Sequence, residues 1–140
     1  MQESQYPYAG TDGTCAYVSA DGEVSTMDGN DFVLVNGTSS SMMSATNTKP
    51  MSVSIEADKL VFQTYHSGVI TSSKCGTNLD HAVMVTGYVT STSPNYWIVR
   101  NSWGPSWGNA GYVNIGMSTG DGVCGINMDP AQPFSQVWTA

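Results

Sequence analysis

Two polar residues, His81 and Asn101, flank the two segments of the sequence with the strongest strand character. His81 directly precedes the apolar run of residues 82–88, and Asn101 closely follows a second run at residues 96–99. If these segments form a hairpin centred near residue 91 or 92, positions whose numbers sum to about 182 to 184 face each other. His81 and Asn101 then lie opposite or one diagonal step apart, with Cβ atoms about 4.5–7 Å from each other.

An imidazole and a carboxamide at this distance can form a hydrogen bond that prepares the imidazole for proton transfer. The Asn101 carbonyl oxygen accepts from one ring nitrogen of His81, which fixes the tautomer and leaves the other nitrogen to handle a proton. The indole of Trp103 follows at once and is placed to cover the pair and exclude water. These residues supply a base and its orienting group, but no nucleophile. The alternative is that His81 is a structural residue at a strand end, beside ordinary turn chemistry.

The elements that must position this pair are predicted to be mostly strands. Residues 51–55 and 112–115 alternate between apolar and polar side chains, which is typical of half-buried strands. A short helix is predicted within residues 38–46, a helical turn over residues 60–65, and a loop at residues 90–94. The expected fold class is mainly β with short helices, as a partly closed antiparallel sheet in a single domain.

Composition and charge exclude several classes of protein. The chain has 140 residues, a length that suits one domain, and carries four Lys+Arg against eleven Asp+Glu, for a net charge of −7. This acidic balance argues against nucleic acid or an anionic membrane as partner. No apolar stretch approaches the roughly 18 residues needed to cross a bilayer, so no membrane insertion is expected. The first residues carry neither a basic segment nor an apolar core, so no signal peptide is expected.

The three cysteines, Cys15, Cys75 and Cys124, are widely spaced. None lies in a Cys-x-x-Cys pair, and together with two histidines they match no zinc-site spacing. Residues 28–31 depart from the calcium-loop pattern and are expected to form a solvated turn. We therefore expect no metal and no cofactor. An odd number of cysteines in a secreted chain leaves one thiol that is either reactive or bonded to another polypeptide.

A glycosylation sequon occurs at Asn36-Gly37-Thr38, which makes Asn36 a candidate for modification. Together with the acidic, Ser-, Thr- and Asn-rich composition, the sequon favours an oxidising compartment over the cytosol. The second histidine, His66, is expected at the surface after a short helix.

Two longer motifs resemble the papain-like cysteine proteases of the papain and cathepsin group. Residues 79–88, Leu-Asp-His-Ala-Val-Met-Val-Thr-Gly-Tyr, resemble the segment around the catalytic histidine of that family. Residues 96–108, Tyr-Trp-Ile-Val-Arg-Asn-Ser-Trp-Gly-Pro-Ser-Trp-Gly, resemble its asparagine motif. Tyr6-Pro7-Tyr8 followed by Cys15, and residues 50–56 and 123–126, also match in order and spacing.

The resemblance covers the C-terminal half of such an enzyme, the barrel-like antiparallel sheet half of an α+β fold. It implies peptide-bond hydrolysis in peptides or proteins by a cysteine endopeptidase. His81 would return a proton to the leaving amine, Asn101 would hold the ring, Trp103 would shield their contact, and Trp107 would line the leaving-group side of the cleft. The family's nucleophilic cysteine segment and oxyanion-hole glutamine do not occur in this sequence. We therefore expect the N-terminal helical half to be absent and this chain to be inactive alone.

The cysteines acquire roles from the same resemblance. Cys75 and Cys124 correspond to a disulfide within this half. Cys15 corresponds to a structural cysteine bonded to the N-terminal half, so the expected partner is that half of the same protease, joined through this disulfide and a domain interface. The resemblance and the acidic surface suggest a lysosomal, vacuolar or secreted location.

Substrate specificity is the last property that the resemblance implies. Ser54, Leu79 and Asp129 match positions that line the pocket for the second residue before the scissile bond, and Asp80 is assigned to the same substrate-binding set. An acid at the floor of this pocket favours Arg or Lys in the substrate. The alternative for Asp129 is that it only starts a surface turn before Pro130.

A second class of function stays open at this point. The chain could be a non-catalytic binding module, or an isolated domain of the same fold, that is inactive alone. Such a domain would expose the face that normally meets its partner and would tend to dimerise.

Overall fold

The computed structural model describes residues 4–18 and 32–133. The chain divides into two compact units, Met1–Asn30 with Ser135–Ala140, and Asp31–Phe134. In the first unit, residues 4–18 are exposed and lack helix and strand. The Ala16 N–H donates to the hydroxyl of Tyr6 at 3.1 Å, which ties this segment to itself. The solvated turn predicted at residues 28–31 lies outside the described residues.

The second unit is built on a seven-stranded sheet with the strand order β1-β7-β2-β4-β5-β6-β3. The strands are β1 (Phe32–Leu34), β2 (Met51–Ile55), β3 (Val69–Ile70), β4 (His81–Val89), β5 (Tyr96–Arg100), β6 (Tyr112–Gly116) and β7 (Ala131–Pro133). The helices are α1 (Ser39–Thr46) and α2 (Leu60–Gln63), with 3₁₀ turns at Ser73–Cys75 and Val123–Gly125. The prediction of a mainly β fold with short helices is confirmed.

One strand pair differs from the expected antiparallel sheet. β3 runs parallel to β6, with Val69 opposite Asn114, whereas every other pair in the described sheet is antiparallel. The chain after β2 passes through α2 to the far edge of the sheet and arrives there in the direction of β6. A strand of two residues is too short to show a periodic pattern in the sequence, so β3 could not be predicted in this way.

The core lies on one face of the central strands. Alternate side chains of β2, β4 and β5 are buried, namely Met51, Val53, Ile55, Val83, Val85, Trp97 and Val99. Burying each such side chain stabilises the fold by about 1.5–3 kcal/mol. The opposite face of these strands carries shorter or more exposed side chains, among them Ser52, Ala82 and Met84. The two-residue period predicted for residues 51–55 is confirmed.

The helix predicted between residues 38 and 46 is α1. Its N-cap is Thr38, whose hydroxyl accepts the Ser41 N–H at 3.3 Å. At the other end, the Gln132 side chain donates to the carbonyls of Ala45 and Lys49 at 2.8 and 2.7 Å, which ties the helix to β7. Among the described residues, no helix has the length and apolar character needed to cross a membrane.

A disulfide joins Cys75 to Cys124, as the family resemblance implies. It links the 3₁₀ turn that precedes β4 to the 3₁₀ turn that precedes β7. The two cysteines are 49 residues apart in sequence, so on the chain-entropy account the bond stabilises the fold by about 4 kcal/mol. It also fixes the start of the loop that leads to His81.

Candidate active site

The β4–β5 hairpin places His81 and Asn101 at neighbouring positions. Met84 lies opposite Arg100 and Val85 opposite Val99. The same register continued by one residue sets Asn101 opposite Val83, one diagonal step from His81. Asn101 is held there by its own N–H, which donates to the Gly111 carbonyl at 2.9 Å. The predicted juxtaposition of the two residues is therefore present.

A hydrogen bond of 2.8 Å joins His81 Nε2 to Asn101 Oδ1. The same oxygen accepts the N–H of Ser102, also at 2.8 Å. Because a backbone N–H can only donate, this second bond identifies the atom facing His81 as the carbonyl oxygen. Nε2 must then carry the proton, and Nδ1 is left to exchange one. Asn101 is 7% exposed, so water competes little for this bond.

Aromatic rings enclose the His81 ring. Trp103 lies against it with ring centroids 5.1 Å apart, and Phe62 approaches at 6.4 Å in an edge-on arrangement. Phe62 also contacts Trp103 and Trp107 at 5.5 and 5.0 Å. The Trp107 indole N–H is fixed by the Gln63 carbonyl at 3.0 Å. Trp103, the residue predicted to shield the pair, therefore packs against Phe62 of α2. Trp103 itself is 40% exposed.

The end of β2 is bonded to the loop that precedes His81. The Asp80 N–H donates to the Ile55 carbonyl at 3.0 Å, and the Asp80 carboxylate accepts the Ala57 N–H at 2.8 Å. In the sheet, Ile55 lies directly opposite His81. The sequence predicts that Asp80 binds substrate. In the structure one of its carboxylate oxygens is bonded to the backbone of Ala57, and the role in substrate binding stays a prediction.

Glu56 is a residue of this region that the sequence analysis did not identify. It is 3% exposed, pairs with the Lys59 ammonium at 2.8 Å and accepts the Asn78 N–H. These two bonds, with that from Lys59 the stronger influence, hold the pKa of Glu56 below its ordinary value. The pairing raises the pKa of Lys59 in turn. The available signal was an acid directly after a buried strand with a lysine three residues later.

The residues predicted to line the second substrate pocket are close together. The Ser54 hydroxyl donates to the Asp129 carboxylate at 3.1 Å, and Asp129 is exposed. Leu79 is half-buried, and a Cβ added at Gly125 would lie 2.7 Å from its Cδ2. The structure thus brings Ser54 and Asp129 into contact near the end of β2, and it places Leu79 against Gly125. Their contact with a substrate stays a prediction.

Cys15, Asn36 and His66 are the remaining residues singled out in the sequence. Cys15 is an exposed free cysteine in the first unit. Asn36 is exposed, and its Oδ1 accepts the Thr38 N–H at 3.2 Å. His66 is exposed after α2, as expected. No group of three or more His, Cys, Asp or Glu side chains that could hold a metal ion occurs in residues 4–18 and 32–133.

A cavity of about 390 Å³ borders the site on the outer face of the sheet. Its lining includes Ser52, Ala82, Met84, Arg100 and Asn101. Met84 is 40% exposed, and Arg100 forms no ion pair with another described residue. The His81–Asn101 pair therefore lies at the rim of a face that combines apolar surface with one cation.

The chain is similar to known proteins over most of its length. Residues 1–134 match the family described as papain family cysteine protease. The chain is 46% identical to the oryzain beta chain of Oryza sativa subsp. japonica over 135 residues, which are 94% of this chain and 28% of that protein. It is 45% identical to the thiol protease SEN102 of Hemerocallis sp. over 135 residues, again 94% of this chain and 37% of that protein.

A solved structure, the bromelain protease from Ananas comosus in complex with the E64 inhibitor, superposes with a TM-score of 0.78 at 38% identity. The superposition covers 94% of this chain and 60% of the bromelain chain. The chain spans between 28% and 40% of the length of the curated relatives considered. The family match, the similar proteins and the fold agree, and this chain belongs to the papain family of cysteine proteases.

Proposed function

We propose that this chain is the histidine-bearing half of a papain-family endopeptidase that hydrolyses peptide bonds in peptides and proteins. In this proposal the nucleophilic cysteine comes from an N-terminal half outside these 140 residues. The observation that carries it is the bond from His81 Nε2 to Asn101 Oδ1, whose direction the Ser102 N–H dictates. That bond leaves Nδ1 of His81 to exchange protons with a sulfur and a leaving amine.

The proposed chemistry has two steps. In the first, the partner's thiolate attacks the peptide carbonyl, a C–S bond forms, and the C–N bond breaks as His81 Nδ1 gives its proton to the leaving amine. In the second step, water attacks the thioester carbonyl while Nδ1 takes a proton from that water, and the C–S bond breaks to restore the thiolate. Asn101 Oδ1 accepts from Nε2 in both ring states, so the ring keeps its orientation throughout. Trp103 limits access of water to that bond.

The cysteines support a nucleophile from outside. Of the three in the sequence, Cys75 and Cys124 are bonded to each other. Cys15 remains, and its exposed thiol fits the proposed disulfide to the N-terminal half. A structural disulfide also favours an oxidising compartment, consistent with a lysosomal, vacuolar or secreted location. Modification of the exposed Asn36 in the secretory pathway is part of this proposal.

The outer face of β2, β4 and β5 is the proposed seat of the N-terminal half. It carries the exposed Met84 and the cation of Arg100 and lies beside Asn101. A partner surface that is apolar and places a carboxylate against Arg100 complements it. The 40% of the bromelain chain that this chain does not cover leaves length for such a half.

Asp129 is proposed to select the second residue before the scissile bond. One carboxylate oxygen accepts the Ser54 hydroxyl, so the side chain is oriented while it stays exposed. A substrate Arg or Lys in this pocket gains a charge-assisted hydrogen bond. The proposed preference is therefore for basic over apolar residues at that position.

The test is complementation. The chain is co-folded with the N-terminal half of a papain-family relative that carries the nucleophilic cysteine, and hydrolysis of a dipeptidyl fluorogenic substrate is measured. We expect activity only from the assembled complex, its loss with His81→Ala, and its inhibition by an epoxide-type thiol reagent. His66→Ala is the matched control and should keep full activity. A complex that assembles and stays inert would favour the binding-module alternative.

A further inference from the structure

The buried carboxylate of Glu56 holds the loop that leads to His81. It accepts the N–H of Asn78, three residues before His81. The backbone at Gly76 lies directly against it, since a Cβ added there would come within 2.1 Å of Glu56 Oε2. The Glu56 N–H in turn donates to the Cys124 carbonyl at 2.9 Å. The loop between the disulfide and β4 therefore packs against the side chain of Glu56.

The same carboxylate also holds the start of α2. Its second oxygen pairs with the ammonium of Lys59 at 2.8 Å, and Lys59 is the N-cap residue of α2. The Lys59 carbonyl accepts the N–H of Phe62 at 3.0 Å. Phe62 is fully buried and forms the aromatic floor beneath His81 and Trp103. Two elements that frame the His81 ring therefore meet at Glu56.

We propose that Glu56 is a positioning residue: by joining the loop before His81 to the start of α2, its carboxylate sets where the imidazole lies relative to Asn101. This role rests on the function proposed above, because it matters for catalysis only if His81 exchanges protons with a thiol. Glu56 acts through His81 and does not touch the reacting atoms.

The requirement for a carboxylate follows from the two kinds of donor around it. Asn78 offers a backbone N–H and Lys59 an ammonium, so both partners donate and an ionised acid accepts from both. A Gln side chain has the same shape but one of its ends is an NH₂ donor, so it can satisfy only one of them. Among the described residues, one hydrogen bond of 2.8 Å, to Asn101, orients the ring of His81, and a small displacement of the loop is enough to weaken it.

The test reads the His81 ring directly in this chain. Its two histidines are labelled with ¹⁵N in the imidazole, and long-range ¹H–¹⁵N spectra identify which nitrogen carries the proton in the neutral ring. The exposed His66 serves as internal reference. In the unmodified chain we expect one tautomer of His81, protonated at Nε2. In Glu56→Gln we expect both tautomers, and exchange of the Nε2 proton with water at least about tenfold faster, with His66 unchanged.

Asp58→Asn is the matched control, because Asp58 also contacts Lys59, at 2.9 Å, but none of its described bonds reaches the loop. It removes the same charge and should leave the His81 signals unchanged. A folded Glu56→Gln chain with unaltered His81 signals would overturn the positioning role. If that variant does not fold, Lys59→Met decides by the same spectra: faster Nε2 exchange supports the proposal and unchanged exchange overturns it.

This measurement needs neither substrate nor thiol, so it separates the two proposals. Unaltered His81 signals in Glu56→Gln contradict the role of Glu56 whether or not the assembled complex hydrolyses peptides. An inert assembled complex whose His81 shows the expected single tautomer contradicts the proposed function and leaves the positioning of the ring by Glu56 standing.

Discussion

Replacement of Asn101 by alanine removes the acceptor to which the described structure bonds His81 Nε2. The lost oxygen accepts from His81 Nε2 and from the Ser102 N–H, each at 2.8 Å, and Asn101 is 7% exposed. A hydrogen bond to a charged group contributes about 1.5–3 kcal/mol, and the imidazolium that forms during the reaction is such a group. We therefore expect a loss of about 2–3 kcal/mol in the transition state, which is about 30- to 150-fold in kcat/KM.

The assay is the initial rate of dipeptide hydrolysis by the complex assembled with a thiol-bearing N-terminal half. Because Asn101 orients His81 and is buried, the loss should fall on kcat rather than KM. Asn109→Ala, at an exposed asparagine directly after that motif, is the matched control and should keep the wild-type rate. An Asn101→Ala complex that folds, assembles and stays within about threefold of wild type would show that the His81–Asn101 bond does not contribute to the reaction at this strength.

Three further outcomes are expected. Asp129→Ala should reduce the preference for Arg over Leu at the second substrate position by about tenfold or more in kcat/KM; an unchanged ratio would remove Asp129 from that pocket. Reduction of the Cys75–Cys124 disulfide should lower the free energy of unfolding by about 4 kcal/mol in denaturant titrations, and a shift below about 1 kcal/mol would contradict the loop-closure argument. Because hydrogen bonds from Lys59 and a backbone amide hold the pKa of Glu56 below its ordinary 4.5, its contribution to stability is full above that value and is lost as the pH falls through the lower folded pKa. Glu56→Gln should therefore flatten the acid limb of the stability curve, and an unchanged limb would assign the acid sensitivity to other carboxylates.

The central hairpin could be predicted from sequence because its signals are local. The apolar runs that became β4 and β5 are dense, and residues 90–94 between them have loop composition. The register was predictable only to within a step. Val85 faces Val99, but Gly87 faces Ile98, so the strand carries an extra residue near Thr86. Such a bulge depends on packing across the sheet and leaves no mark in the alternation of side chains.

The outer strands could not be predicted, because they exist only through long-range pairing. β1 and β7 have three residues each and pair with one another from opposite ends of the second unit, with Leu34 opposite Ala131. β7 ends in Pro133, which argues against a strand when read locally. Neither segment has enough length to show a period.

In the candidate site, too, residues within local motifs could be predicted and a residue placed by long-range contacts could not. His81, Asn101 and Trp103 occur in two contiguous motifs, so the sequence identifies them together. Glu56 belongs to no motif, and its role arises from contacts with Asn78 and Lys59 that form only when the loop folds back on β2. A buried acid is recognisable in a structure by its partners, whereas in a sequence it is one of eleven acidic residues.

The proposed role of His81 requires a sulfur that another chain segment supplies, and the reactivity of that sulfur tests this role most directly. The rate of alkylation of the partner's cysteine by iodoacetamide is measured at pH 5.5, where a free thiol with its ordinary pKa of about 8.5 is almost entirely protonated and unreactive. We expect fast alkylation in the complex with this chain, and a fall of about 100-fold or more with His81→Ala, because the imidazolium that stabilises the thiolate is lost. Equal rates with and without the His81 side chain in an assembled complex would contradict the proposed pairing of His81 with the thiolate.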